Sequence, residues 1–485
     1  MQLIIDGNSS GQGLSLRNKE TPTGGTFQGP GFKVYARWRP LSLSEQARAE
    51  IECNTIQHSN TNMSVSLASR PESGRPRSWK SAPSFTHIFE PDASNNDVFE
   101  TTVAPAITQV LSGATCNFFA YGHSGSGKTH TIIGYDYDRN ENLGLSLAAA
   151  RDLMAALDRV NAACSADESG GGQSTFGIGL RLYELRKKSA FDLLNKRTEC
   201  FVREGPDGQT HIRGQTELLD GGKVRVRPIV TRPCWTLEDL RRELLTALEL
   251  RSTGSSTVHD QSSRTHAVLE LEVVNKELLE ARDLVIERQS ELVPVAKRAT
   301  DIYLEESMKS LIKTPEGKYI PNPDHPLDQT RIDAAEATKS EFEARLRAAE
   351  DNVTTILASR SHPSLGGKFV FVDLAGSEYF DAAAGAVGRN ITPQDRQEGR
   401  QINSDLFALK EVIRARALKQ TRIPYRSAPL TMVLREHFTA SAESSSAMIL
   451  TISPSAEQYA ATVNTLKYGN LVGVAGGDQA GMAEA

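Results

Sequence analysis

Residues 121–130 read YGHSGSGKTH, and within them residues 122–129 fit G-x-x-x-x-G-K-[ST] in full. Those residue types suit one kind of chemistry, the holding of a nucleotide's phosphates. Gly122, Gly125 and Gly127 let successive backbone N–H groups turn inward onto a phosphate chain, with His123, Ser124 and Ser126 completing the turn. Lys128 brings a point charge, and Thr129 a hydroxyl for Mg²⁺. The helix expected to follow adds the positive end of its dipole. A chance glycine turn is the competing reading. The flanks decide against it, because the apolar run NFFA enters the loop and TIIG leaves it.

Two further stretches carry matching chemistry. In FVFVDLAGSE, Asp373 ends an apolar strand, where its carboxylate is placed to hold Mg²⁺ through water. The Gly376 N–H, three residues on, is placed to sense a γ-phosphate. In SSRTH, residues 262–266, Ser263 is placed to reach the metal or the attacking water, and Arg264 to pair with Glu378. A plain strand start is the other reading of that stretch. Together the three pieces point to hydrolysis of a nucleoside triphosphate with Mg²⁺. No N-K-x-D motif for reading guanine is present, so ATP is expected rather than GTP.

The elements that must position these residues are legible in outline. Residues 1–31 are rich in Gly, Ser, Thr and Asn and read as a flexible arm. A short strand is expected from Val34 to Pro40, and residues 54–84 read as a long exposed loop or small subdomain. NNDVFETTVAPAITQVL reads as an Asn-capped helix, and GLSLAAARDLMAALDRVNAAC as another. TFGIGLRLYEL and GGKFVFVDLAG read as buried strands, the second ending at Asp373. Between them, residues 275–361 change texture to two charged, Ala-rich helical segments around a Pro-rich break. The second segment lines up Ile332, Ala335, Phe342, Leu346, Ala349, Val353 and Ile356 on one stripe, interrupted only by Lys339. A helical hairpin inserted into the domain is the expectation, either as a partner-binding device or as a solvated helix pair without its own role. Its root lies at the end of the Asp373 strand that points away from the phosphates. Residues 473–485 read as a flexible tail.

Bulk composition excludes several classes. The net charge of −5 gives no global positive field, so nucleic acid is not an expected partner. No apolar run approaches the roughly 18 residues a membrane span needs. The five cysteines are scattered without metal-ligand spacing, which suits reduced thiols in the cytoplasm.

With these stretches in view, the chain resembles a kinesin motor domain over residues 32–271 and 366–472. VYARWRPL resembles the family's opening strand, which implies that Arg37, Arg39 and Pro40 line the adenine, with His130 stacking on it. SSRTH is similar to switch I and DLAGSE to switch II. EGRQINSDLFALKEVI resembles the main microtubule-facing helix, with Glu398, Ile402, Asn403 and Leu406 at matching places. RIPYRSAPLTMVLREHF resembles the adjoining loop and helix, where Arg422 and Arg426 would face the filament, and NTLKYGNLV the last core helix. Myosin shares the switch logic but continues differently after the switch I arginine. The resemblance implies an α/β P-loop NTPase fold, with a central, mostly parallel sheet flanked by helices and the hairpin inserted into a motor domain of residues 32–472. It implies ATP and Mg²⁺ as cofactors, microtubules as partner, and a cytoskeletal location. Gly376, Ser263, Arg264 and Glu378 would be the catalytic switch residues.

Three positions depart from the family pattern. His259 stands where an Asn is usual, Tyr379 where an Arg follows the switch II glutamate, and Pro429 where a Lys faces tubulin. They motivate a second reading, a slow or static nucleotide-binding microtubule-associated protein. RLYELRKKSAFDLLNKR and RSTGSSTVHDQSSRTHAV lean toward the internal-motor, depolymerising kinesins, although residues 54–84 lack the Lys-Val-Asp tip of that group.

Overall fold

The computed structural model describes residues 32–476, except 43–44, 46–49, 61, 71–74, 135–141, 167–174, 206–207, 253–263, 316, 360–363, 378–392, 419 and 440–443. Its centre is a twelve-stranded sheet. Five strands run parallel in the spatial order Lys368–Asp373, Thr115–Tyr121, Ser445–Ile452, Phe32–Trp38 and His87–Phe89. Beyond Lys368–Asp373 the direction alternates through His266–Val274, Gly177–Arg186, Ser189–Asp192, Thr198–Glu204, Thr210–Leu218 and Val224–Pro228. The α/β P-loop architecture is therefore present, but the sheet is mixed. The expected parallel pairing holds around the phosphate loop and gives way to antiparallel hairpins elsewhere. From Gly177–Arg186 outward to Val224–Pro228 short connections explain the change, since tight turns can join only antiparallel neighbours.

The central strands are apolar throughout, as strands covered on both faces must be. Phe118, Phe369, Phe371, Leu269 and Leu271 pack on one face with Leu153 and Leu157 of helix Leu145–Ala166 and Leu240 and Leu244 of helix Leu237–Ser252. Phe119, Val370, Val372 and Val268 pack on the other with Leu406, Leu409 and Val412 of helix Pro393–Ala417 and Leu466 of helix Tyr459–Gly476.

Register sets the site. Asp373 lies opposite Ala120 on one side and Ala267 on the other. The carboxyl ends of the Thr115–Tyr121 and Lys368–Asp373 strands and the start of His266–Val274 therefore meet at one rim. Ligands bind outside such carboxyl ends in open α/β sheets.

Residues 52–80 form a separate three-stranded antiparallel sheet of Glu52–Ser59, Asn62–Ser69 and Arg77–Lys80, with Val65 and Leu67 buried beneath it. Helices Lys276–Lys309 and Gln329–Leu357 pack on one another, joined through a ribbon of Leu311–Lys313 and Tyr319–Pro321. Side chains of Asn275 and Asp328 cap their first turns by accepting from the Leu278 and Arg331 N–H groups. The second helix buries Ile332, Ala349 and Ile356, all on the apolar stripe. The pair leaves the sheet after Val274, at the rim opposite Asp373.

Candidate nucleotide site

Strand Thr115–Tyr121 ends in the phosphate loop, and helix Lys128–Ile132 leaves it. Gly125 and Gly127 take φ values of +74° and +99°, a region that favours glycine. At Gly122 a Cβ would lie 2.3 Å from the Thr451 carbonyl oxygen, so only glycine fits between loop and neighbouring strand. Ser126 Oγ and Thr451 Oγ1 share a hydrogen bond of 2.7 Å that ties the loop down. Lys128 is 5% exposed and donates to the Gly122 and His123 carbonyls at 3.1 and 2.9 Å. Burial, with the nearby Lys128 and Arg39 charges, pushes His123 down to about 4, so its imidazole is neutral at physiological pH.

The metal-binding candidates sit side by side. Thr129 Oγ1 donates to Asp373 Oδ2 at 2.9 Å. Asp373 Oδ1 is buried and has no hydrogen-bond partner, which fits a carboxylate that accepts from metal-bound water. Gly376 presses against the loop: a Cβ there would meet the Ser124 N at 2.9 Å, and Ser377 N–H donates to the Gly122 carbonyl at 3.1 Å. The expected sensing glycine therefore touches the phosphate loop directly.

Sequence reasoning missed a buried cation here. Arg251, from helix Leu237–Ser252, is 4% exposed and donates from Nη1 to Asp373 Oδ2 at 3.0 Å and from Nε to Glu184 Oε1 at 3.2 Å. Thr265 Oγ1 donates to the same Glu184 oxygen at 3.1 Å, and Arg197 reaches Oε2 at 3.4 Å. These residues fall inside the stretches RLYELRKKSAFDLLNKR and RSTGSSTVHDQSSRTHAV, which resemble a kinesin group, but nothing in either stretch tells from sequence that they meet at Asp373.

The adenine-side candidates fall into two groups. The Arg37 guanidinium is turned inward, donating to Asn95 Oδ1, Thr131 Oγ1 and the Ala93 carbonyl. Burial lowers it to about 10. Asn95 in turn donates to the His130 carbonyl at 3.1 Å, so Arg37 sets the backbone from which the exposed His130 ring projects. Arg39 is held by Glu45 at 2.6 and 2.7 Å, and that bond draws the Glu45 carboxyl down to about 2. Pro40 is exposed beside it.

The switch candidates connect the loop to helix Pro393–Ala417. His266 Nδ1 accepts from the Ala375 N–H at 3.1 Å, which places its proton on Nε2, 3.9 Å from Asp405 Oδ2. Burial, aided by Lys128 and Arg251, lowers His266 to about 3, and burial raises Asp405 to about 6. Arg264 lies 3.8 Å from Glu398, which also accepts from Arg186 at 2.6 Å. Ser263, Glu378, His259 and Tyr379 lie outside the described residues. On the outer face of the helix Asn403 is exposed, and Phe407, one turn on, is 61% exposed. Arg422 is exposed, and Arg426 is bidentate to Glu204 at 2.6 and 2.8 Å.

A family model described as "Kinesin motor domain" matches residues 37–296 and 344–473, more than half of the chain. The chain belongs to the kinesin motor-domain family. Among relatives, the human "Kinesin-like protein KIF24" is 26% identical over 443 residues, covering 91% of this chain and 23% of that protein. The "Kinesin-like protein KIN-13A" of Oryza sativa subsp. japonica is 28% identical over 450 residues, covering 91% of this chain and 41% of that protein. The kinesin core here thus spans well under half the length of either relative. Among solved structures, the motor domain of the Kar3-like kinesin from Ashbya gossypii aligns with a TM-score of 0.53 at 18% identity, covering 91% of this chain and 99% of that one. That likeness supports the fold alone. No helix among the described residues is long and apolar enough to cross a membrane.

Proposed function

We propose that this kinesin core hydrolyses ATP with Mg²⁺ and couples turnover to its grip on microtubules, driving movement or remodelling of the filament. The observation that carries this reading is the unbroken run of contacts from the phosphate loop to the filament-side helix. Gly376 and Ser377 touch the loop, the Ala375 N–H engages His266, His266 faces Asp405, and Arg264 approaches Glu398. A change at the γ-phosphate position displaces Gly376 and is transmitted to the helix that bears Asn403 and Phe407. Discrete rearrangement of switch segments is how phosphate-sensing proteins convert a small local change into a large one.

In the catalytic step, Lys128 is placed to neutralise charge on the transferring phosphoryl group, and the Gly376 N–H to orient it. Thr129 would hold Mg²⁺ directly, with Ser263, and Asp373 through water. The metal would supply neutralisation of the charge that develops on the transferring phosphoryl group. Arg251 orients the Asp373 carboxylate through its Nη1 hydrogen bond. Ser263, Arg264 and Glu378 act as the closing switch that positions water in line. Arg39, Pro40 and His130 form the adenine side, while Arg37, expected there too, is turned inward and holds the His130 backbone through Asn95. A protein partner at the helix pair 275–361 belongs to the same proposal.

Co-sedimentation with microtubules tests the coupling. Affinity should differ by at least about tenfold between an ATP analogue and ADP, a difference of ~1.4 kcal/mol. Lys128→Ala should abolish that difference. A second reading, a static nucleotide-binding microtubule protein, is motivated by His259, Tyr379 and Pro429. It requires equal affinity in both nucleotide states.

A further inference from the structure

A second polar cluster lies on the sheet face under the filament-side helices. Glu270, 2% exposed, stands in the middle of strand His266–Val274, opposite Val370 and Arg181. Helix Arg435–Thr439 lays His437, 3% exposed, over it. His437 Nε2 lies 3.4 Å from Glu270 Oε1 and 3.6 Å from Glu436 Oε1, and one ligand atom from each of the three residues falls within 4.8 Å of the others.

Two observations point to a missing occupant. His437 Nε2 is buried and makes no hydrogen bond, although it is aimed at the two carboxylates. The buried Glu270 carboxylate is loosely held: the Tyr183 hydroxyl donates at 3.2 Å and Arg181 Nη1 at 3.5 Å. Charge-assisted hydrogen bonds normally close to about 2.7–2.9 Å. A buried carboxylate with every partner standing off, beside an imidazole nitrogen with none, encloses a point suited to a small cation. Metal–ligand bonds of about 2.0–2.2 Å set neighbouring ligands of a tetrahedral ion roughly 3.4 Å apart. The observed separations of 3.4 and 3.6 Å already match that spacing. Arg181 approaches Oε2, while Oε1, which accepts from the Tyr183 hydroxyl at 3.2 Å, faces His437.

We propose that Glu270, Glu436 and His437 bind a divalent transition ion of the zinc class, at a site separate from the nucleotide's Mg²⁺. The imidazole ligand selects such an ion over Mg²⁺, which prefers an all-oxygen shell. The ion fastens helix Arg435–Thr439 to the middle of the sheet. That helix directly follows the segment carrying Arg422, Arg426 and Pro429, so the metal steadies the filament-side surface from below. The competing arrangement is a metal-free ion pair between His437 and Glu270.

The test uses the whole chain, stripped of nucleotide and metal by chelation, titrated with Zn²⁺ by calorimetry and with Co²⁺ by absorption. The wild type should take up about one equivalent with a tetrahedral Co²⁺ spectrum, rise in Tm on binding, and resist displacement by millimolar Mg²⁺. His437→Gln should weaken Zn²⁺ binding by far more than tenfold, since even outer-shell changes at metal sites cost 10–100-fold. Glu436→Gln alters an exposed side chain, so it tests the site if the buried variant does not fold, and should weaken binding by at least about tenfold. No uptake by the wild type, or affinity unchanged in Glu436→Gln, would overturn the proposal and leave the ion pair.

Discussion

Arg251→Met separates a structural cation from a bystander. The guanidinium is 4% exposed, and its partners Glu184 and Asp373 are 0% and 1% exposed, so solvent screening does little to dilute the contacts. Methionine keeps most of the apolar stem and removes both charged bonds. Stranding a buried carboxylate by deleting its partner costs about 3–5 kcal/mol. Asp373 retains the Thr129 hydroxyl, and Glu184 retains Thr265 and Arg197, which places the loss at the lower end, ~3 kcal/mol. Adding Glu184→Gln removes one stranded charge. The double variant should therefore be less destabilised than the sum of the singles by about 1–2 kcal/mol, as expected for directly coupled residues. Urea unfolding of the four proteins, without nucleotide, measures the cycle. A loss below about 1 kcal/mol in Arg251→Met, or strict additivity, would refute the assignment, since surface ion pairs fall in that range.

Other outcomes follow from single contacts. Gly122→Ala drives a Cβ to 2.3 Å from the Thr451 carbonyl oxygen, so nucleotide affinity measured with a fluorescent ADP should collapse and Tm should fall. Phe407→Ala, at a 61% exposed position, should weaken microtubule co-sedimentation several-fold while leaving Tm unchanged. Asp405 is raised to about 6 in the fold, above the usual carboxylate value near 4, so ionising it opposes folding. Asp405→Asn should therefore raise Tm above pH 6, with the gain shrinking as pH falls toward 4.

The phosphate loop was legible because its chemistry is contiguous: glycines, lysine and threonine within eight residues, flanked by an apolar strand and a helix. Asp373 was legible for the same reason, as the polar end of an apolar strand. Arg251 and Glu184 were not, since they lie 122 and 189 positions from Asp373; sheet register brings Glu184 near, and the placement of helix Leu237–Ser252 brings Arg251. The small sheet of residues 52–80 was hidden by its polar first strand, ECNTIQHS, which is exposed throughout and shows no alternation of apolar residues. The antiparallel half of the main sheet was obscured differently. Strands such as Thr210–Leu218 carry mixed charge and little apolar pattern, because they lie near the sheet's edge, one strand in from Val224–Pro228, where solvent rather than core decides composition. Phe407 had no distinguishing signal within an amphipathic helix; only its exposure marks it.

The coupling of nucleotide turnover to the filament is the central claim, and steady-state ATP hydrolysis with and without stabilised microtubules, at low salt, measures it most directly. The contacts from Gly376 through His266 to the helix of Asn403 and Phe407 predict strong stimulation by microtubules, lost in Lys128→Ala. Filament binding with unstimulated turnover would contradict the coupling and favour a static microtubule-associated protein.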